Sequence, residues 1–177
     1  MKVEHEVRVL EINKQKLIKK IKSLNGKFKG EYNQKRRIYD FNPKIHDKWI
    51  RLRTDGNKTT LAIKQVANRG IDGTKELEID VSSFDDTNKI LNELGYASYA
   101  FQENKRIRYV LNGVELDIDE WPMIPPHLEI EGKSDEEVNE MIRLLELNQE
   151  KVTPLSVQDI YKDVYGIDIT TIEELKF

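Results

Sequence analysis

Along most of this chain apolar and charged residues alternate with a period of two, and in four shorter stretches the period lengthens to that of a helix. The first alternating run is Glu4-His5-Glu6-Val7-Arg8: Glu4, Glu6 and Arg8 share one face, and Val3, His5, Val7 and Val9 share the other. From Phe28 to Phe41 a second strand carries Lys35, Arg37 and Tyr39 on one face and Arg36 and Ile38 on the other, and Asn42-Pro43 ends it. Trp49–Arg53 and Thr59–Lys64 flank Asp55-Gly56-Asn57 as a hairpin, with Ile50, Leu52, Leu61 and Ile63 apolar and Arg51, Arg53 and Lys64 opposed to them. Thr74–Val81 sets Glu76, Glu78 and Asp80 against Leu77, Ile79 and Val81. A second hairpin turns at Asn112-Gly113, a strong turn signal between Tyr99–Leu111 and Val114–Trp121. Arg106 and Arg108 share a face of its first arm, and Glu115, Asp117 and Asp119 share a face of its second. Beyond the proline-rich link Trp121–Pro126, Glu129 and Glu131 project together from a last strand.

The helical stretches have recognisable ends. Asn13 caps a helix to Leu24 with Leu17, Ile18, Ile21 and Leu24 in one stripe, and its lysine-rich remainder reads as a solvated face. Ser82 or Ser83 opens a second, to Leu94. Ser134-Asp135-Glu136-Glu137 is a capping box for a third, to about Leu147, and Ser156 caps a fourth, to Gly166. About eight strands, nearly all with one charged face and joined by hairpins or short helices, predict an α+β fold. The expected form is a closed eight-stranded antiparallel β-barrel with helices packed outside. It forms one domain over residues 1–177, with the barrel over about 2–132 and the C-terminal helices over about 134–175. Closure removes the exposed edges, and helices can cover only apolar faces, so the charged faces line the inside.

Composition narrows the chemistry. The chain has 177 residues and 0 cysteines, which excludes thiolate metal sites and cysteine nucleophiles. No apolar run approaches the ~18 residues of a membrane span and no signal peptide precedes the first strand, so the expected compartment is the cytoplasm and no membrane partner is expected. Its 29 basic and 32 acidic residues leave a net charge of -3, which argues against a nucleic-acid partner. The interior charges sort by strand: carboxylates at Glu4, Glu6, Asp117, Asp119, Glu129 and Glu131, cations at Arg51, Arg53, Lys64, Arg106 and Arg108. Two like charges ~4 Å apart repel by about 4 kcal/mol at an effective dielectric near 20, so such a cluster favours a bound polyanion, although Glu76 and Glu78 relieve part of the repulsion. Clustered carboxylates invite a hard divalent cation. Together the two walls suit a triphosphate with Mg2+ or Mn2+.

Glu4-x-Glu6-x-Arg8, Arg51-x-Arg53, Lys64, Glu76-x-Glu78, Arg106-x-Arg108, Asp119 and Glu129-x-Glu131 resemble, in order and spacing, the CYTH superfamily of triphosphate tunnel metalloenzymes, over roughly residues 2 to 165. The resemblance implies a barrel that binds triphosphates and hydrolyses or cyclises them with a divalent metal. Family activities include inorganic, thiamine and RNA triphosphatase and class IV adenylate cyclase. By position it implies metal ligation by Glu4, Glu6, Asp119, Glu129 and Glu131. Phosphate binding falls to Arg8, Arg51, Arg53, Lys64, Arg106 and Arg108, and catalytic roles to Glu4, Glu6 and Lys64. Two positions depart from the family pattern. Arg8 replaces the usual lysine and cannot serve as a general base, and Trp121–Pro126 replaces a glycine-rich link.

Hydrolysis of inorganic triphosphate or of a nucleoside or organic triphosphate, such as ATP, is the leading expectation. Class IV cyclisation of ATP comes second and a non-catalytic polyphosphate-binding module third. The oligomeric state is open, a homodimer being one option. His5, His46 and His127 read as structural, with His5 and His127 placed on the faces opposite their strands' carboxylates. Trp49 and Trp121 read as packing residues, and Tyr39 as a candidate contact for a substrate's organic group.

Overall fold

The alternating segments close into a ring. A computed structural model describes all 177 residues and contains β1 (Lys2–Val9), α1 (Lys14–Ser23), β2 (Lys27–Asp40), β3 (Lys48–Thr54), β4 (Thr59–Val66), β5 (Thr74–Val81), α2 (Phe84–Glu93), β6 (Ser98–Leu111), β7 (Val114–Glu120), β8 (His127–Gly132) and α3 (Asp135–Leu144). The strand order is β6-β2-β3-β4-β5-β1-β8-β7, and β7 pairs back onto β6. The result is the expected closed, eight-stranded antiparallel barrel in an α+β fold.

The helices cover its outer surface. Leu17 and Ile21 of α1 and Val138, Met141 and Ile142 of α3 bury against Val7, Val9, Leu116, Ile118, Leu128 and Ile130 from three adjoining strands. Leu91 of α2 packs on Tyr39, Ile50 and Leu52. Asn13, Ser83 and Ser134 cap the three helices, each side chain accepting from a first-turn backbone N–H. The third helix stops at Leu144, before the expected Leu147, because Glu146 turns into the left-handed region with φ 55°.

The C-terminal segment differs most from expectation. A helix from Ser156 to Gly166 is replaced by one turn, α4 (Val157–Asp159), and a wider π-type turn over Ile160–Val164. This widening accompanies burial of Ile160 and Tyr161, the latter packed with Trp121, Ile169 and Leu175 while its hydroxyl donates to the Pro122 carbonyl at 2.5 Å. Two short strands tie the segment to the barrel: β9 (Val152–Thr153) pairs with β1, and β10 (Glu174–Leu175) runs parallel to β6. No helix is long and apolar enough to cross a membrane.

Candidate active site inside the barrel

Period-two geometry sends every second side chain of each strand inward. They line a cavity of about 610 Å³, and every residue singled out for a site role borders it: Glu4, Glu6, Arg8, Arg51, Arg53, Lys64, Arg106, Arg108, Asp119, Glu129 and Glu131. A smaller cavity of about 220 Å³ shares Arg53, Glu78, Arg106 and Arg108 with it and adds Tyr32, Gln34 and Lys58.

The charges are more interleaved than a cationic wall facing an acidic one. Register places Arg8 beside Glu129, Arg106 beside Asp119 and Arg108 beside Asp117. Arg106 donates to Asp119 through Nε at 2.7 Å and Nη2 at 2.5 Å, and Nη1 lies 2.6 Å from Asp117. Arg8 reaches Glu129 at 2.6 Å, Glu6 at 3.2 Å and the Leu155 carbonyl at 2.9 Å. Burial disfavours charge on both arginines, but the facing carboxylates outweigh it and hold each guanidinium above its ordinary pKa. Burial likewise opposes ionisation of Glu129, and Arg8 and Arg106 more than reverse this, holding it well below the usual carboxylate range. Asp117 goes the other way, because its burial outweighs Arg106 and Arg108.

On the opposite arc, Arg51 donates to Glu76 at 2.7 Å and Glu78 at 2.9 Å, and Arg53 donates to Glu78 at 3.1 Å. Arg51 and burial pull Arg53 down to about 10. Lys64 lies 3.0 Å from Glu4 Oε2 in an ion pair that lacks hydrogen-bond alignment, and 3.6 Å from Glu76. Burial and a hydrogen bond shared with Glu76 raise Glu4 to about 8, while Glu76 falls to about 2, so this carboxyl pair holds one proton near neutrality. Glu131 is raised by burial and by Glu129 and Glu6; its one ion-pair cation is Lys2, 3.7 Å away.

The five candidate metal ligands thus fall into two sets. Asp119 and Glu129 are closely engaged by arginines and Glu6 takes a longer 3.2 Å bond from Arg8, whereas Glu4 and Glu131 have only a lysine each, at 3.0 Å and 3.7 Å, and are crowded by neighbouring carboxylates. No three acidic or histidine side chains are drawn together around one point. The donors are nevertheless hard oxygens in a locally acidic setting, a chemistry that fits Mg2+ or Mn2+ at Glu4, Glu6 and Glu131.

Two readings of individual residues are corrected. His127 lies two residues from Glu129 and therefore shares its inward face; it is 1 % exposed, 3.9 Å from Asp119, and burial lowers it to about 4. Tyr39 faces outward, where its hydroxyl donates to Asn88 of α2 at 2.8 Å, so it lies behind the barrel wall and away from any substrate. Arg36, Gln102 and Trp121 also line the cavity, and none had been given a site role. In the run Lys35-Arg36-Arg37 the inward cation is identifiable only from its partner across β3, Arg53.

A family model described as the CYTH domain matches residues 2–168. No curated protein sequence matches the chain. Among solved structures, the PH1012 protein of Pyrococcus horikoshii is 24% identical with a TM-score of 0.75, covering 86% of this chain and 96% of its own. A candidate adenylate cyclase from Vibrio parahaemolyticus is 14% identical with a TM-score of 0.77, covering 94% and 99%. A candidate adenylyl cyclase from Hippeastrum, described as having a dominant triphosphatase activity, is 15% identical with a TM-score of 0.59, covering 94% and 96%. These likenesses are of fold.

Proposed function

This chain belongs to the CYTH domain family, and from that premise we propose that it is a divalent-metal-dependent triphosphatase acting on inorganic triphosphate or on a nucleoside or organic triphosphate inside the barrel. The observation that carries the reading is one cavity inside the closed barrel holding both buried guanidiniums and carboxylates crowded by other carboxylates. Arg51, Arg53 and Lys64 would hold phosphoryl oxygens, the guanidinium forks suiting bidentate contact, while Arg8, Arg106 and Arg108 stay anchored by their carboxylates and present remaining N–H groups. Glu4, Glu6 and Glu131 would hold Mg2+ or Mn2+, which when bound supplies charge neutralisation and a water of lowered pKa. Catalysis then rests mainly on positioning and on fixed charge around the transferred phosphoryl group. Arg8 keeps its proton throughout and serves binding alone.

Phosphate release from tripolyphosphate and ATP with Mg2+ or Mn2+ tests this. Glu6→Gln is expected to lower the rate by about 100-fold, some 2.7 kcal/mol of barrier. Equal rates in the two proteins refute it. Class IV cyclisation is the second reading, favoured by Ile45, Trp49 and Tyr99 among the cavity's lining residues, which offer an organic group apolar contacts beside the charged residues. Cyclic AMP and pyrophosphate as products would put it first.

A further inference from the structure

Of the six inward guanidiniums, Arg36 alone forms no ion pair. Arg8, Arg51, Arg53, Arg106 and Arg108 each form at least one ion pair within the cavity, whereas Arg36 forms none. It is 8 % exposed and lines the cavity. Its Nη2 donates to the side-chain oxygens of Gln34 at 3.1 Å and of Asn104, its Nε has no partner, and its guanidinium carbon lies 4.5 Å from the centre of the Trp121 ring. Neutral amide oxygens and a π face soften a buried charge but carry no counter-charge.

The surroundings add to the imbalance. Arg36 pairs directly with Arg53 in the β2–β3 register, and Arg51 and Arg106 contribute further positive charge. Burial first, then these three guanidiniums, hold Arg36 well below its ordinary range, with the Asp119 carboxylate the weaker opposing influence. Packing alone does not explain an arginine here, since an amide or aliphatic side chain could cover Trp121 without an uncompensated charge.

We propose that Arg36 binds a phosphoryl oxyanion of the substrate, making it a substrate-binding residue beside the cations already assigned. The inference rests on the triphosphate reading and specifies where the polyanion contacts the β2–β3 arc. Ligand entry should replace the absent counter-charge at Arg36, with Gln34 and Asn104 holding its fork and Trp121 backing its plane.

Calorimetric titration of wild type, Arg36→Gln and Arg36→Lys with tripolyphosphate in EDTA separates this role from metal binding. Thermal unfolding of the three ligand-free proteins accompanies it. Arg36→Gln is expected to weaken tripolyphosphate binding by about tenfold or more. Arg36→Lys should recover part of the affinity, and ligand-free Arg36→Gln should unfold no lower than wild type because it removes an unpaired buried charge. Wild-type affinity in Arg36→Gln, together with a lowered unfolding temperature, would assign Arg36 to packing and overturn the proposal. Orthophosphate titrated in parallel distinguishes the two levels of the argument. If wild type ignores tripolyphosphate but binds orthophosphate, and Arg36→Gln loses it, the triphosphate reading falls and the oxyanion site stands. If neither anion distinguishes the two proteins, the site falls as well.

Discussion

Around Arg8 and Arg106 the interior charges of β1, β6, β7 and β8 are matched to one another, whereas along β2 and β3 cations crowd against their own kind. Asp119 is fully buried and takes two hydrogen bonds from Arg106, and Arg8 bridges Glu6 and Glu129. Such a network gives each of these charges an opposite partner without a ligand and fixes side-chain geometry. Arg51 and Arg53 share Glu76 and Glu78, and Arg36 pairs with neither. A few residues along β1, burial and the neighbouring Glu76 and Glu6 hold Glu4 above the ordinary carboxylate range, an acidic counterpart of the same imbalance. On the proposed function the difference separates scaffold from working surface: the matched charges fix the tunnel's lining, and the unmatched ones are where a polyanion and a cation would gain most by binding.

The matched side is expected to give the largest response to substitution. Asp119→Ala leaves Arg106 short of its main partner in a buried setting and should cost about 3–5 kcal/mol, read from urea unfolding midpoints. A loss well under this would mean that Asp117 and Glu129 carry Arg106 without it. On the unmatched side, the effect comes through pH. Glu4 sits at about 8 in the fold against an ordinary 4.5, so the folded protein binds the extra proton between these values. That contribution is full below pH 4.5 and is lost as pH rises towards about 8, by at most about 1.4 kcal/mol per pH unit. Glu4→Gln keeps a neutral group at every pH and should flatten the slope of ligand-free stability between about pH 5 and about pH 8. An unchanged slope would remove the shared proton from the account.

Much of this arrangement was legible in the sequence because an antiparallel barrel preserves alternation. Glu4, Glu6 and Arg8 share a face by spacing alone, and Asn112-Gly113 announces its hairpin, Asn112 having φ 52° and Gly113 φ 86°. The rule weakens along β2, where apolar Ile38 faces inward beside Arg36 while Arg37 lies outside over the Phe101 ring. What spacing cannot supply is pairing across strands. That Arg106 is satisfied and Arg36 is not depends on Asp119 and Arg53, residues distant in sequence that register brings alongside them. His127 is a different lesson, since its spacing from Glu129 already placed it inside. The C-terminal contribution was out of reach, because Arg8 reaches a backbone carbonyl at Leu155 that no side-chain pattern marks.

Thermal unfolding in Mn2+ alone, tripolyphosphate alone and both together tests most directly whether the unmatched charges form one metal-triphosphate site. Each ligand alone should stabilise the fold modestly, and the two together by more than their sum, reaching about 2.7 kcal/mol when the complex is at ~100 times its dissociation constant. Strictly additive shifts, or none at that concentration, would contradict a shared site.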